Sequence, residues 1–374
     1  MRALGIDPGT KNFDLLCIED DMNHVVLDES LPSQLVADDP AAVFKVIKDV
    51  APDVVVGPSG YGLEFKHISK FTRADIALTT LDRVGDVEIA VLSGLRKLLL
   101  MMKDAKMNAY SLPGVVQLPT VPAHRKVNKI DMGTADKTCV AAFAIWDQAK
   151  KYAIDYDQTS LICLEMGFGY NAAMIVENGQ IVDGIGGTIF PGPGYLTLSL
   201  MDGELAYLLG GFTKLKLFEG GVSHIATFKG GAKIIEPEDF AKGLEAKEDS
   251  YLMAWSSMLE GIVKAVSMGM SILSKEPKEV VLTGRLSRIK PIFDGLKTEL
   301  NRRMKLQVRS PKRYTKEAKD VAQGAAIIAN GIEGGEYAPL VDTMRIKEAK
   351  GTVLDYIYFP DWKVNDVVSK LKNK

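Results

Sequence analysis

Cysteine is scarce in this 374-residue chain: Cys17, Cys139 and Cys163 make 3, scattered and odd in number. Each sits in an apolar segment, so buried reduced thiols are expected rather than a disulfide framework, and with them a cytoplasmic setting. Neither sign of charge is in excess. Lys and Arg total 46 against 48 Asp and Glu, a net charge of −2, which speaks against the basic face of a nucleic-acid binder. Long apolar runs are missing too. Leu98-Leu99-Leu100-Met101-Met102 is cut by Lys97 and Lys103, so it falls short of a membrane span and reads as the core face of a helix. Of 4 histidines, His24, His67 and His224 lack metal-ligand spacing. The chain enters a strand within its first residues, so no leader segment is expected. What is present is an ordinary globular composition, 47% hydrophobic and 25% charged, at a length that calls for two domains.

The informative feature is a motif that occurs twice. Leu4-Gly5-Ile6-Asp7-Pro8-Gly9-Thr10-Lys11 ends an apolar strand on a carboxylate, turns through glycine and a hydroxyl, and continues into a second strand, Phe13–Ile18. Such a turn can aim backbone N–H groups and Thr10 at a phosphate, with Asp7 facing the accompanying metal. The alternative is plain Asp-Pro-Gly turn chemistry. Ile162-Cys163-Leu164-Glu165-Met166-Gly167-Phe168-Gly169 repeats the pattern, followed by a strand from Asn171 to Glu177, the turn Asn178-Gly179 and a strand from Gln180 to Ile185. An Asn-Gly pair between such runs signals a hairpin. Glu19 follows Asp7 at the same spacing as Glu177 follows Glu165. Two half-chains carrying one motif imply duplicated domains facing a shared cleft. The run Gly167-Phe168-Gly169-Tyr170-Asn171-Ala172 also fits a dinucleotide fingerprint. That fingerprint must open a helix, and the hairpin turn arrives too soon for one.

Along the first half, strands are expected near Arg2–Ile6, Phe13–Glu19 and His24–Ser30, then a helix near Ala41–Val50. The strand Asp53–Val56 empties into Gly57-Pro58-Ser59-Gly60, where ligands of open α/β sheets sit. Asp86–Asn108 reads as mostly helical, and Thr134 as the N-cap of a helix to about Tyr152 with Asp136 in its first turn. Domains are placed at 1–155 and 156–345, with a tail at 346–374. The second carries the Gly/Pro loop Gly186–Gly194 (a lid or a plain surface loop), a helix near Leu252–Leu273, the strand Val280-Val281-Leu282 followed by Thr283-Gly284-Arg285, and a helix from Lys290. A helix Lys316–Ile328 carries Ala322-Gln323-Gly324-Ala325-Ala326, small enough to admit a close neighbour. The tail either packs on the body or makes an oligomer contact, which leaves a homodimer open.

These segments resemble the acetate and sugar kinase, Hsp70 and actin superfamily. Asp7–Lys11 is similar to its phosphate-one loop, Glu165–Gly169 to its phosphate-two loop, and Val281–Gly284 to its adenosine loop. Within it the chain looks like an archaeal family of unknown function labelled predicted butyrate kinase, through Asp7–Thr10, Gly57–Gly62, Lys129–Lys137 and Asp183–Thr188. The resemblance implies an α/β fold of two duplicated actin-like (ribonuclease H-like) domains with an interdomain nucleotide cleft, using ATP and Mg²⁺. It places the nucleotide on Asp7, Gly9, Thr10, Lys11, Glu165, Gly167, Gly169, Thr283, Gly284, Arg285 and Gln323, and the metal on Asp7 and Glu165. Three departures stand out. Asp136 occupies the place of the His in the acetate kinase Gly-Thr-Ser-His segment, Asp7 that of an Asn, and Glu165 that of the Asp usual in sugar kinases and Hsp70.

Phosphoryl transfer depends on positioning and charge stabilisation. Asp131, Asp136 and Arg125 are the catalytic candidates. His124, Arg125, Lys126, Ser59 and Gly60 are the acceptor-binding ones, because a small anionic acceptor such as a carboxylate wants cations. An ionised Asp instead suits a hydroxyl acceptor. Asp136 also serves simply as a first-turn helix acid, and Arg125-Lys126 as a solvated basic turn. Three readings follow: a small-carboxylate kinase, a hydroxyl-acceptor kinase, or an ATP-gated scaffold with little turnover.

Overall fold

The computed structural model describes residues 1–57 and 60–372. The chain divides into two compact units: Met1–Thr159 with Val176–Val182 and everything from Lys312 onward, and Ser160–Ile175 with Asp183–Pro311.

The first unit is built on β1 (Arg2–Pro8), β2 (Asn12–Glu19), β3 (Asp21–Pro32), β4 (Val54–Val56), β5 (Lys66–His67) and β6 (Ala109–Ser111), in the order β3-β2-β1-β4-β6-β5. β1 and β2 are antiparallel, with Gly5 opposite Leu16 and Asp7 opposite Asp14. β4 runs parallel to β1, and β6 parallel to β4. The apolar run of β4 is fully buried, as expected of an internal parallel strand. Helices lie at Pro40–Asp49, Ala90–Asp104 and Ala135–Tyr152, close to their expected places. In the Ala90–Asp104 helix Leu98, Leu99 and Met102 face the core.

The helix Asp320–Ile332 is buried along its whole length, as its mostly small and apolar sequence demands. Its small residues permit this. A Cβ on Gly5 would fall 2.3 Å from the Ala326 nitrogen, and one on Gly324 only 1.8 Å from the Cys139 carbonyl oxygen. The helix therefore lies at backbone contact between β1 and the Ala135–Tyr152 helix. Two expectations are corrected here. The helix starts at Asp320 rather than Lys316, because the Asp28 carboxylate accepts the amides of Lys316, Glu317 and Ala318 at 2.6, 3.2 and 2.7 Å, and Asp14 accepts that of Lys319 at 2.8 Å. In addition, residues 312–345 belong with the first unit and not the second, since this helix completes the cover of β1.

The second unit carries β7 (Ser160–Met166), β8 (Asn171–Glu177), β9 (Gln180–Ile185), β10 (Glu279–Thr283) and β11 (Gln307–Arg309), in the order β11-β10-β7-β8-β9. β10 is parallel to both β7 and β11. Asn178 and Gly179 both take positive φ, +53° and +71°, the geometry of a two-residue hairpin turn. The strand β8 beginning at Asn171 removes the dinucleotide-fingerprint reading. Helices at Asp249–Met270 and Lys290–Met304 follow expectation. The Gly186–Gly194 loop is a packed element: a Cβ on Gly192 would lie 2.6 Å from the Gly261 Cα in the long helix.

The orders β3-β2-β1-β4-β6 and β9-β8-β7-β10-β11 are the same topology, with three parallel strands in corresponding places. The fold is α/β and duplicated, of the two-domain actin-like type, with two open mixed sheets and, among the described residues, no closed barrel. Among the described residues no helix is long and apolar enough to cross a membrane. All three cysteines are buried.

Candidate functional site

Each unit presents its acidic turn at the carboxyl end of its central strand. In the first, Asp7 is 5% exposed near the end of β1, and Thr10 and Lys11 are exposed at the turn's tip. The turn is set by its own backbone and by Ser33. The Gly9 amide donates to the Asp7 carbonyl at 3.0 Å, the Ser33 hydroxyl donates to the Gly9 carbonyl at 2.7 Å, and the Ser33 amide donates to the Lys11 carbonyl at 2.9 Å. Ser33 had no motif to mark it in the sequence.

Beside this turn, four segments are tied together by main-chain contacts. Gly57 leaves β4 at φ +136°, and a Cβ there would lie 2.7 Å from that of Ile6. The Tyr61 amide donates to Thr79, Ala135 to Gly60 and Val115 to Gly133, all carbonyls at 2.9 Å. Asp131 is 7% exposed and accepts the Gly133 amide at 3.1 Å. Asp136 accepts from the Thr134 hydroxyl and pairs with Lys137, so Thr134 occupies the N-cap position without capping through its side chain. Burial, then Asp136 and then Asp7, hold the Cys139 thiol well above its ordinary pKa, which puts both carboxylates within electrostatic reach of that buried sulfur. Gln323 is fully buried one turn into the Asp320–Ile332 helix, and its side-chain oxygen accepts no hydrogen bond from the described residues. Ser59 lies outside the described residues.

The basic triplet is placed differently from the acceptor clamp that was expected. The Arg125 guanidinium donates to the Val182 carbonyl at 2.7 Å. Lys126 is 4% exposed, donates to the Leu118 carbonyl at 2.8 Å and lies over the Tyr356 ring, and burial lowers its pKa. His124 is exposed.

In the second unit Glu165 is 7% exposed and sits opposite Thr283 in the β7–β10 register. The turn closes through the Gly167 amide on the Tyr170 carbonyl at 2.9 Å. Gly284, at φ +83°, comes so close that a Cβ would lie 2.5 Å from the Met166 oxygen. The Arg285 guanidinium stands 5.3 Å from the Phe168 ring centroid and pairs with Glu236 and Glu238. The Leu196 and Thr197 amides donate to the Gly169 carbonyl at 3.2 and 3.3 Å. Glu165, Gly167, Gly169, Thr283, Gly284 and Arg285 thus lie in one cluster of turns, beside which stands Asn171. It is fully buried, with its amide nitrogen on Pro193 and its oxygen accepting nothing from the described residues.

Among the described residues no three His, Cys, Asp or Glu side chains converge as a metal cage. Asp7 and Glu165 are each nearly buried at the end of a strand.

Comparison with solved structures finds the same fold. A propionate kinase from Francisella tularensis subsp. tularensis SCHU S4 is 13% identical over 86% of this chain and 98% of that one, with a TM-score of 0.60. An acetate kinase from Entamoeba histolytica is 11% identical over 80% and 87%, at 0.55. A ROK family glucokinase from Streptomyces griseus, in complex with glucose and AMPPNP, is 12% identical over 88% and 99%, at 0.50. No curated protein matches the sequence. The sequence profile of one family matches residues 5–359, and the chain belongs to that family, described as "Protein of unknown function (DUF1464)".

Proposed function

We propose that this chain is an ATP- and Mg²⁺-dependent phosphotransferase for a small molecule. The observation that carries the reading is the repeated placement of a carboxylate and a glycine turn at the same topological position of two duplicated sheets. The Glu165 turn and the Thr283-Gly284-Arg285 loop take the nucleotide side. Asp7, Thr10 and Lys11 take phosphate and metal. Gln323, with an unsatisfied buried oxygen, has capacity for a further donor.

For the acceptor, the loop cluster favours a hydroxyl group over a carboxylate. Its acids, Asp131 and Asp136, suit orientation of a hydroxyl and acceptance of its proton. The cations around it are already engaged: Lys137 with Asp136, Lys66 with Glu64 and Asp75, Arg96 with Asp82, Arg125 and Lys126 with carbonyls. A small carboxylate remains the second reading, supported by the likeness to acetate and propionate kinases. The protein is to be incubated with Mg-ATP, hydroxylamine and matched panels of carboxylates and polyols. ADP with an acid-stable phosphoester supports the hydroxyl reading, and hydroxamate supports the carboxylate one. Tight ATP binding with neither product would leave a nucleotide-gated scaffold and remove the phosphotransferase.

A further inference from the structure

The C-terminal segment 346–372 carries no motif, yet it is tied to the rest of the first unit at three places, each next to the loop cluster. Near its start, the Lys350 amide donates to the Gln117 carbonyl at 3.2 Å, and the Gln117 side-chain amide donates to the Gly62 carbonyl at 3.0 Å. Midway, Asn128 is gripped from both sides. Its amide donates to the Tyr356 carbonyl at 2.8 Å, and its side-chain oxygen accepts the Tyr358 amide at 2.7 Å. Asn128 holds φ at +55° just ahead of Asp131, and the neighbouring Lys126 ammonium lies 4.9 Å from the Tyr356 ring centroid.

At its far end, the Lys372 amide donates to the Asp82 carbonyl and its ammonium to the Asp86 carbonyl, both at 2.7 Å. That ammonium is also 3.1 Å from the Asp82 carboxylate, which is fully buried and takes Arg96 at 3.0 Å. The Val84 amide returns to the Lys370 carbonyl at 2.9 Å. Asp82 follows the helix Arg73–Thr80, whose Thr79 carbonyl holds Tyr61. The tail thus reaches Gly60–Gly62 from two directions and Asp131 from a third.

Loop backbone outside helices and sheets is costly in conformational entropy to fix and lacks a ladder to hold it. We propose that residues 346–372 are a strap that positions the Gly60–Gly62 and Asp131–Asp136 loops, with Asn128 and Lys372 as its positioning residues. The strap sets acceptor affinity without touching substrate. This rests on the reading above that the loop cluster receives the acceptor.

The test uses the full chain with Asn128→Gly, which keeps the positive φ and removes the side-chain acceptor, and Asn128→Asp, which restores an acceptor oxygen. Lys372→Ala reports on the far anchor. Hydrogen exchange of peptides covering 60–66 and 127–137 is expected to speed up in Asn128→Gly and return in Asn128→Asp, while 160–170 and 279–288 keep wild-type rates. With turnover, the acceptor KM rises roughly fivefold, the effect of one lost hydrogen bond, and the KM for ATP stays within twofold. Unchanged exchange in the loop peptides, a uniform rise across all four peptides, or local loosening with an unchanged acceptor KM each overturns the strap. Should wild type transfer phosphate to nothing, the phosphotransferase reading falls, and the exchange pattern alone decides the strap.

Discussion

Gly324→Ala tests the packing that assembles the first unit. In a helix interior the substitution by itself favours folding by about 1 kcal/mol. Here the added Cβ would sit 1.8 Å from the Cys139 oxygen and 2.5 Å from its carbonyl carbon. Both are main-chain atoms of the Ala135–Tyr152 helix, so no side-chain rotation relieves the clash, and the helices must part by more than an ångström. The Asp320–Ile332 helix is buried on every side, so that shift loosens its contact with β1 as well. Overpacking usually costs about 1–3 kcal/mol, and a backbone contact belongs at the upper end. The net expectation is destabilisation by about 2 kcal/mol, which for a unit of this size lowers Tm by about 4–8 °C. Gly203→Ala, where nothing lies within 4 Å of the new Cβ, provides the control and should match or slightly exceed wild type. Thermal and urea melts of the three proteins decide it. A Gly324→Ala protein as stable as wild type would refute the close-approach argument.

Further outcomes follow from other sites. Asp28→Ala removes the carboxylate that accepts three successive amides ahead of the Asp320–Ile332 helix, and should destabilise by about 1–2 kcal/mol, read by urea denaturation. Gly284→Ala puts a Cβ at φ +83° against Met166 and should weaken Mg-ATP binding roughly tenfold, since the left-handed conformation alone costs ~1–2 kcal/mol; calorimetric titration checks it. All three cysteines should resist a thiol reagent at pH 8 until the protein is unfolded. Burial pushes the Cys17 thiol from 9.0 up to about 12. The folded state therefore keeps a proton that the unfolded state sheds, and the Cys17 contribution to stability should be lost as pH rises from 9 towards 12; melts across that range report it.

The duplicated sheets were legible because strand, acid, glycine and strand recur in order, and because Asn178-Gly179 can hardly be anything but a hairpin turn. The Ala322–Ala326 run announced a close neighbour before the neighbour was known. Its allegiance was not legible: nothing local in 312–345 says that Gly5, more than three hundred residues earlier, lacks a side chain to receive that helix. The helix start was misplaced for a similar reason, since the carboxylates that take its leading amides lie on β2 and β3. Arg125 and Lys126 read as cations for an acceptor because their carbonyl partners, Val182 and Leu118, are invisible to spacing. Ser33 and Asn171 escaped notice because a lone hydroxyl or amide has no pattern, and their roles come from the turns they support.

The central proposal is that turnover depends on the Asp7 turn and on the Glu165 turn. ADP formation from Mg-ATP, measured with the best acceptor for wild type, Asp7→Asn and Glu165→Gln at matched folded concentration, tests it most directly. Each variant should keep its wild-type melting profile and lose at least a hundredfold in kcat/KM, about 3 kcal/mol of transition-state stabilisation. Wild-type turnover in either variant would contradict the account.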